Sequence, residues 1–243
     1  MSILANYAFL HRYLEFLQSC GVPDPGRYSQ PMGNAYSEPH RVYHNTAHIT
    51  FMLDKLAEDV KTRKIELSGW EQNCVMFAVW WHDFVYNPKV RDNELQSILA
   101  WEDFVDQVSQ TSSVLESYKT PVSSLIHCTI SHTLPSPIPD TLLTPALISY
   151  FLDLDLAILA TSRDIYTAYA NNIRSEYSNY SISDYRSGRM TVLERFLGRE
   201  DIFLTTSLQL GEGVENMQIM ENLARRNISW EIEELESGRL PQS

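Results

Sequence analysis

Apolar residues recur at helical spacing along most of the chain. Leu4, Tyr7, Ala8, Leu10, Leu14 and Leu17 mark a helix over 3–19, stopped by Gly21-Val22-Pro23-Asp24-Pro25-Gly26. The polar stretch that follows, through Pro39, predicts a loop. Ile49, Met52, Leu53, Leu56 and Val60 predict an amphipathic helix with His48 near its start. Ser68 with Glu71 three residues on reads as a capping box for the next helix. That helix carries Val75, Met76, Val79 and Trp80, delivers His82-Asp83 near its C-terminal end and is broken by Asn87-Pro88. Further helices are expected near 92–108, 121–132, 162–177, 184–198 and 214–236. Asp164, Asp184 and Glu212 lie close to the N-termini of the last three, where the helix dipole favours acidic groups. Pro135, Pro137 and Pro139 mark the clearest internal loop, and Gly211-Glu212-Gly213 a hinge for the last helix. No segment alternates convincingly enough to predict a strand. The expected fold is all-α, a single domain over 1–243.

Three places break the apolar pattern. His82-Asp83 sits within Val79-Trp80-Trp81-His82-Asp83-Phe84-Val85-Tyr86, in the most apolar stretch of the chain. Charged groups rarely enter such surroundings unless paired or bound to metal. Upstream, Tyr43-His44-Asn45-Thr46-Ala47-His48 places two histidines four apart, on one face if the helix already includes residue 44. Downstream, Phe151-Leu152-Asp153-Leu154-Asp155-Leu156 sets two carboxylates in a second apolar run. Imidazole and carboxylate together suit several divalent metals: Mn, Mg, Zn, Ni, Co or Fe.

Composition narrows the partners. The 243 residues carry a formal net charge of −12, which repels phosphate backbones and anionic membranes and leaves room for a small anionic ligand in a local pocket. Cys20, Cys74 and Cys128 are odd in number and far apart, so reduced thiols are expected rather than a disulfide framework. The first residues lack a basic region and a long apolar core, so no secretory leader is expected. The longest apolar run, Cys74 to Trp81, is far short of the ~20 residues that cross a bilayer. The expectation is a soluble, cytoplasmic protein.

The ordered set of a His, a His-Asp doublet and a distant Asp resembles the HD-domain metal-dependent phosphohydrolase superfamily. The fragments that carry it are Tyr43-His44-Asn45-Thr46-Ala47-His48-Ile49, His82-Asp83-Phe84-Val85-Tyr86, Asp92-Asn93-Glu94, Phe151–Leu159, Ile173-Arg174-Ser175-Glu176-Tyr177 and Ala224-Arg225-Arg226-Asn227. Together they span about 36–227 and look closest to a small bacterial-type branch of predicted phosphohydrolases. The resemblance implies a helical bundle with a central metal held by His48, His82, Asp83 and Asp155, with Asp153 the rival for the fourth place. Tyr43-His44-Asn45-x-x-His48 is also similar to a motif of cyclic-nucleotide phosphodiesterases, which implies His44 as general acid. Phe84-Val85-Tyr86-Asn87-Pro88 departs from those enzymes, which carry further acidic and His positions there.

On this pattern Asp83 also helps orient or deprotonate the attacking water; Glu94 is a candidate to hold a metal-bound water, with the acidic residue expected in a helix's first turn as its alternative. Arg41, Arg174, Arg189 and His132 are candidates for the substrate phosphate. Each arginine has a structural alternative, a salt bridge to Glu176 or Glu194. The implied activity is hydrolysis of a phosphoester in a small nucleotide-like or phosphorylated metabolite. Two alternatives are a non-catalytic nucleotide-sensing module and a di-iron oxygenase with His132 as an extra ligand.

Overall fold

The computed structural model describes residues 3–137, 142–205 and 214–239. The described residues are all-helical, with no strand among them. The chain divides into two compact units, Met1–Ile148 and Ser149–Ser243.

The first unit contains α1 (Ile3–Ser19), α2 (Gly26–Tyr36), α3 (Thr46–Lys61), α4 (Gly69–Trp81), α5 (Asn93–Ser109) and α6 (Lys119–Thr129), with a 3₁₀ turn at Glu116–Tyr118. α1 ends as its sequence predicts. Gly21 adopts φ +76°, Val22 N–H reaches Leu17 O at 3.0 Å and Gly21 N–H reaches Gln18 O at 2.9 Å, the bonding of a Schellman cap. α4 opens on the expected capping box: Ser68 accepts from Glu71 N–H, and the Glu71 carboxylate accepts from Ser68 N–H.

α4 is the core of this unit. Cys74, Val75, Phe77, Ala78, Val79, Trp80 and Trp81 are all buried, so the helix is apolar around its circumference. It packs against α3, α5 and α6. Rings from α1 close over it: Phe9 and Tyr13 each stand 4.9 Å from Trp80 and Phe16 stands 4.6 Å from Phe77, centroid to centroid.

Two expectations fail here. The segment read as a polar loop through Pro39 contains α2, despite Pro31 within it. Met32, Gly33 and Tyr36 are buried, and a Cβ at Gly33 would come within 2.7 Å of Leu10. Glycine lets α2 lie close against α1, and that packing outweighs the weak helix propensity of Gly-Arg-Tyr-Ser-Gln-Pro. α4 also stops at Trp81, well before Asn87-Pro88. A turn follows at once, with Phe84 N–H on Trp81 O at 3.2 Å.

α7 (Pro145–Leu156) leads into the second unit, which continues with a 3₁₀ turn at Ala157–Ala160, α8 (Arg163–Glu176), α9 (Ile182–Leu197) and α10 (Val214–Ser237). α10 packs against α8, α9 and the 3₁₀ turn. Asp164 and Asp184 occupy the first turns of α8 and α9 as expected. The hinge at Gly211-Glu212-Gly213 and the last proline of the internal loop, Pro139, lie outside the described residues. No single helix among the described residues is long and apolar enough to cross a membrane.

Candidate metal centre

His48 stands in the first turn of α3, and Asn45 puts it there. Asn45 is the N-cap, with extended backbone (φ −122°, ψ −170°) and its side-chain oxygen accepting from Ala47 N–H at 2.8 Å. His44 therefore precedes the helix, and the condition that would place it on a helical face with His48 is not met. The two rings still lie 6.0 Å apart, brought close by the turn. His82 caps the C-terminus of α4, and Asp83 follows in the turn.

Three donor atoms converge. Nε2 of His48 lies 3.3 Å from Nε2 of His82, and Oδ2 of Asp83 lies 3.1 Å from His82 Nε2 and 3.7 Å from His48 Nε2. A point equidistant from the three is about 2.0 Å from each, the length of a typical metal–imidazole or metal–carboxylate bond. The His48–His82–Asp83 group can hold a metal ion.

The hydrogen bonds around the group suit that role. Nδ1 of His82 lies 3.0 Å from Val79 O, a carbonyl that can only accept. The ring hydrogen is thus on Nδ1, and in the neutral imidazole Nε2 presents its lone pair to the centre. Both imidazoles are buried, whereas the Asp83 side chain keeps 17% of its exposure. Burial alone would raise the Asp83 pKa, but when the imidazoles are protonated the charges of His82 and His44, and the hydrogen bond that His82 then donates from Nε2, outweigh it. They hold the carboxyl well below the usual range. His44 is half-buried, edge-on to Tyr43 at 4.9 Å and 4.3 Å from the Tyr86 ring.

Arg41, expected at a substrate phosphate, spends its guanidinium on the protein. Nε donates to Glu38 Oε2 at 2.8 Å. Nη1 donates to His44 O at 3.2 Å and Asp83 O at 2.6 Å, and Nη2 to Phe84 O at 2.8 Å. Glu94 is half-buried in the first turn of α5. His132 follows α6 with φ +51°, its N–H on Cys128 O, and is not one of the three converging ligands.

The remaining candidates belong to the second unit. Asp153 and Asp155 both lie on α7. The Asp153 carboxylate accepts from Leu204 N–H at 2.7 Å, Thr205 N–H at 2.8 Å and the Thr205 hydroxyl. Burial pushes its pKa up to about 6 against the pull of those donors. Asp155 lies close enough to Tyr169 to raise the pKa of that phenol, after burial as the main cause. Arg174 donates to Tyr177 O at 2.8 Å and lies over the Tyr185 ring. Arg189 meets Glu231 with two bonds, Nε to Oε1 at 2.8 Å and Nη2 to Oε2 at 3.0 Å, and Tyr166 donates to the same carboxylate at 2.6 Å. The acidic partner is Glu231 rather than Glu176 or Glu194.

Two residues that support the site carry no signal in the sequence pattern. Ser97 of α5 is buried and bonds both Val85 N–H and Val85 O, holding the turn after His82-Asp83. Tyr36 donates to Trp80 O at 2.9 Å, one of the last carbonyls of α4. Comparison of the chain with protein-family models, with curated proteins and with solved structures finds no match.

Proposed function

We propose that the protein is a metal-dependent phosphohydrolase of the HD type, acting on a phosphoester of a small nucleotide-like or phosphorylated metabolite. The observation that carries the reading is the convergence of His48 Nε2, His82 Nε2 and Asp83 Oδ2 on one point at bonding distance. Two imidazoles and one carboxylate leave the other coordination positions of a cation for water and substrate. A divalent cation held there supplies Lewis acidity to a water and to a phosphoryl oxygen.

The chain's own groups do the rest. Asp83, the carboxylate of the centre, accepts a hydrogen bond from the attacking water and orients it. His44, with its neighbouring aromatic rings, is the group to protonate the departing oxygen. The net charge of −12 favours a small substrate over a polyanion. The motif set resembling the HD superfamily supports the reaction type.

The test is a panel of phosphomonoesters and phosphodiesters, nucleotides included, offered to protein loaded with Mn²⁺, Co²⁺ or Zn²⁺. Turnover that His82→Ala abolishes is expected. Absence of any such turnover, with nucleotides raising the melting temperature unhydrolysed, would instead identify a binding module.

A further inference from the structure

We propose that Arg41 is a positioning residue for this metal centre, its guanidinium clamping together the two chain segments that deliver the ligands. The inference rests on the metal reading above. It concerns how the site keeps its geometry rather than which atoms bind.

Arg41 has none of the features of a substrate clamp. Its side chain is fully buried, and four hydrogen bonds leave the guanidinium within the protein. The rings of Tyr36 and Tyr86 lie 5.1 and 5.4 Å from its central carbon. A single nitrogen, Nη1, reaches both His44 O and Asp83 O. His44 O belongs to the turn that leads through Asn45 into α3 and its His48. Asp83 O belongs to the ligand Asp83 itself, one residue beyond His82. One atom thus joins the strand of chain carrying one imidazole to that carrying the other imidazole and the carboxylate.

The rest of the fork reinforces the join. Nη2 holds Phe84 O, so two successive carbonyls after α4 are occupied. These groups lie at the negative end of the α4 dipole, where a buried cation is favoured. The Arg41–Asn45 turn is itself tied, since Asn45 Nδ2 donates to Val42 O at 2.8 Å. Glu38 holds the guanidinium from the outer side through Nε. Metal ligation tolerates errors of only about 0.2 Å in ligand distance, so slack between the two turns costs affinity directly. Lysine cannot replace the fork: it keeps the charge but radiates its donors from one atom.

The experiment uses full-length protein stripped with a chelator and titrated with Co²⁺. The d–d absorption reports ligand geometry, and the melting temperature of the metal-free protein is measured beside it. Wild type is expected to bind Co²⁺ and His82→Ala to lose it. Arg41→Lys is expected to bind about 10–100-fold more weakly and with a changed d–d spectrum, in addition to the drop in metal-free melting temperature that follows from its lost buried hydrogen bonds. A residue that merely supported the fold would lower the melting temperature without changing the spectrum.

Wild-type affinity and spectrum in Arg41→Lys overturn the inference and leave the metal reading standing. Failure of wild type to bind Co²⁺ overturns both. If Arg41→Lys does not fold, Glu38→Gln loosens the same fork from an exposed position, with a severalfold loss of Co²⁺ affinity expected and no change the contrary result.

Discussion

Nε2 of His48 faces Nε2 of His82 across 3.3 Å, and the hydrogen of the His82 ring is already given to Val79 O on the opposite nitrogen. With Asp83 Oδ2 beside them, the two facing nitrogens suit a positive charge between them, a proton or a cation. In that competition a divalent ion has the advantage of bonding all three atoms at once.

Metal should therefore stabilise the folded chain. A cation at 100 times its dissociation constant is expected to add about 2.7 kcal/mol. Differential scanning fluorimetry with and without Mn²⁺, Co²⁺ or Zn²⁺ should show a rise in melting temperature for wild type. The rise should vanish in His48→Ala.

The centre depends on α4 holding its place. Trp80 is fully buried among Phe9 and Tyr13, and its carbonyl accepts from Tyr36. Trp80→Ala is expected to cost about 3–5 kcal/mol, read as a shift of the urea unfolding midpoint. A cost below about 1 kcal/mol would contradict the packing of α1 on α4 described here.

The three thiols are free and titrate high. Burial pushes Cys74 up to about 12 and Cys20 and Cys128 up to about 11. The folded chain consequently retains thiol protons that the unfolded chain gives up near pH ~8.5, so stability falls as pH rises above that value. At about pH 7.5 iodoacetamide should label the native protein slowly and the urea-unfolded protein fast, because the thiolate is the reactive form. Rapid native labelling of all three would contradict the burial.

Asp153 and Asp155 should separate by phenotype. Asp153→Ala strips the partner from Leu204 N–H and Thr205 N–H, and is expected to cost about 1–3 kcal/mol in urea unfolding. Asp155→Ala leaves those two bonds in place and is expected to cost less in the same measurement. The reverse outcome would exchange their roles.

That pair shows where the sequence stops being legible. Residues two apart on a helix point roughly 200° away from each other, so at most one of the two faces any given partner. A Leu-Asp-Leu-Asp run has no feature to say which. Two of the three groups that Asp153 accepts from are backbone N–H groups, of Leu204 and Thr205, with only the Thr205 hydroxyl a side chain, and backbone groups leave no side-chain signature. The hydrogen bonds of Arg41 are hidden from the sequence for the same reason: its acceptors are mostly main-chain carbonyls, of His44, Asp83 and Phe84. By contrast, His48, His82 and Asp83 were legible because polar ligands in or beside apolar helices are costly without a purpose. The helices themselves followed from periodicity and caps, with two exceptions: α2, where glycine and proline masked a buried face made of Met32, Gly33 and Tyr36, and α7, whose near-continuous run of buried apolar positions shows no helical period.

Anomalous scattering from crystals soaked in Co²⁺ or Mn²⁺ reads the metal centre itself. A peak bonded to His48 Nε2, His82 Nε2 and Asp83 Oδ2, at about 2.0–2.2 Å from each, is expected. Crystals that show the ion bound elsewhere, or no peak between the two imidazoles at saturating metal, would contradict the metal centre.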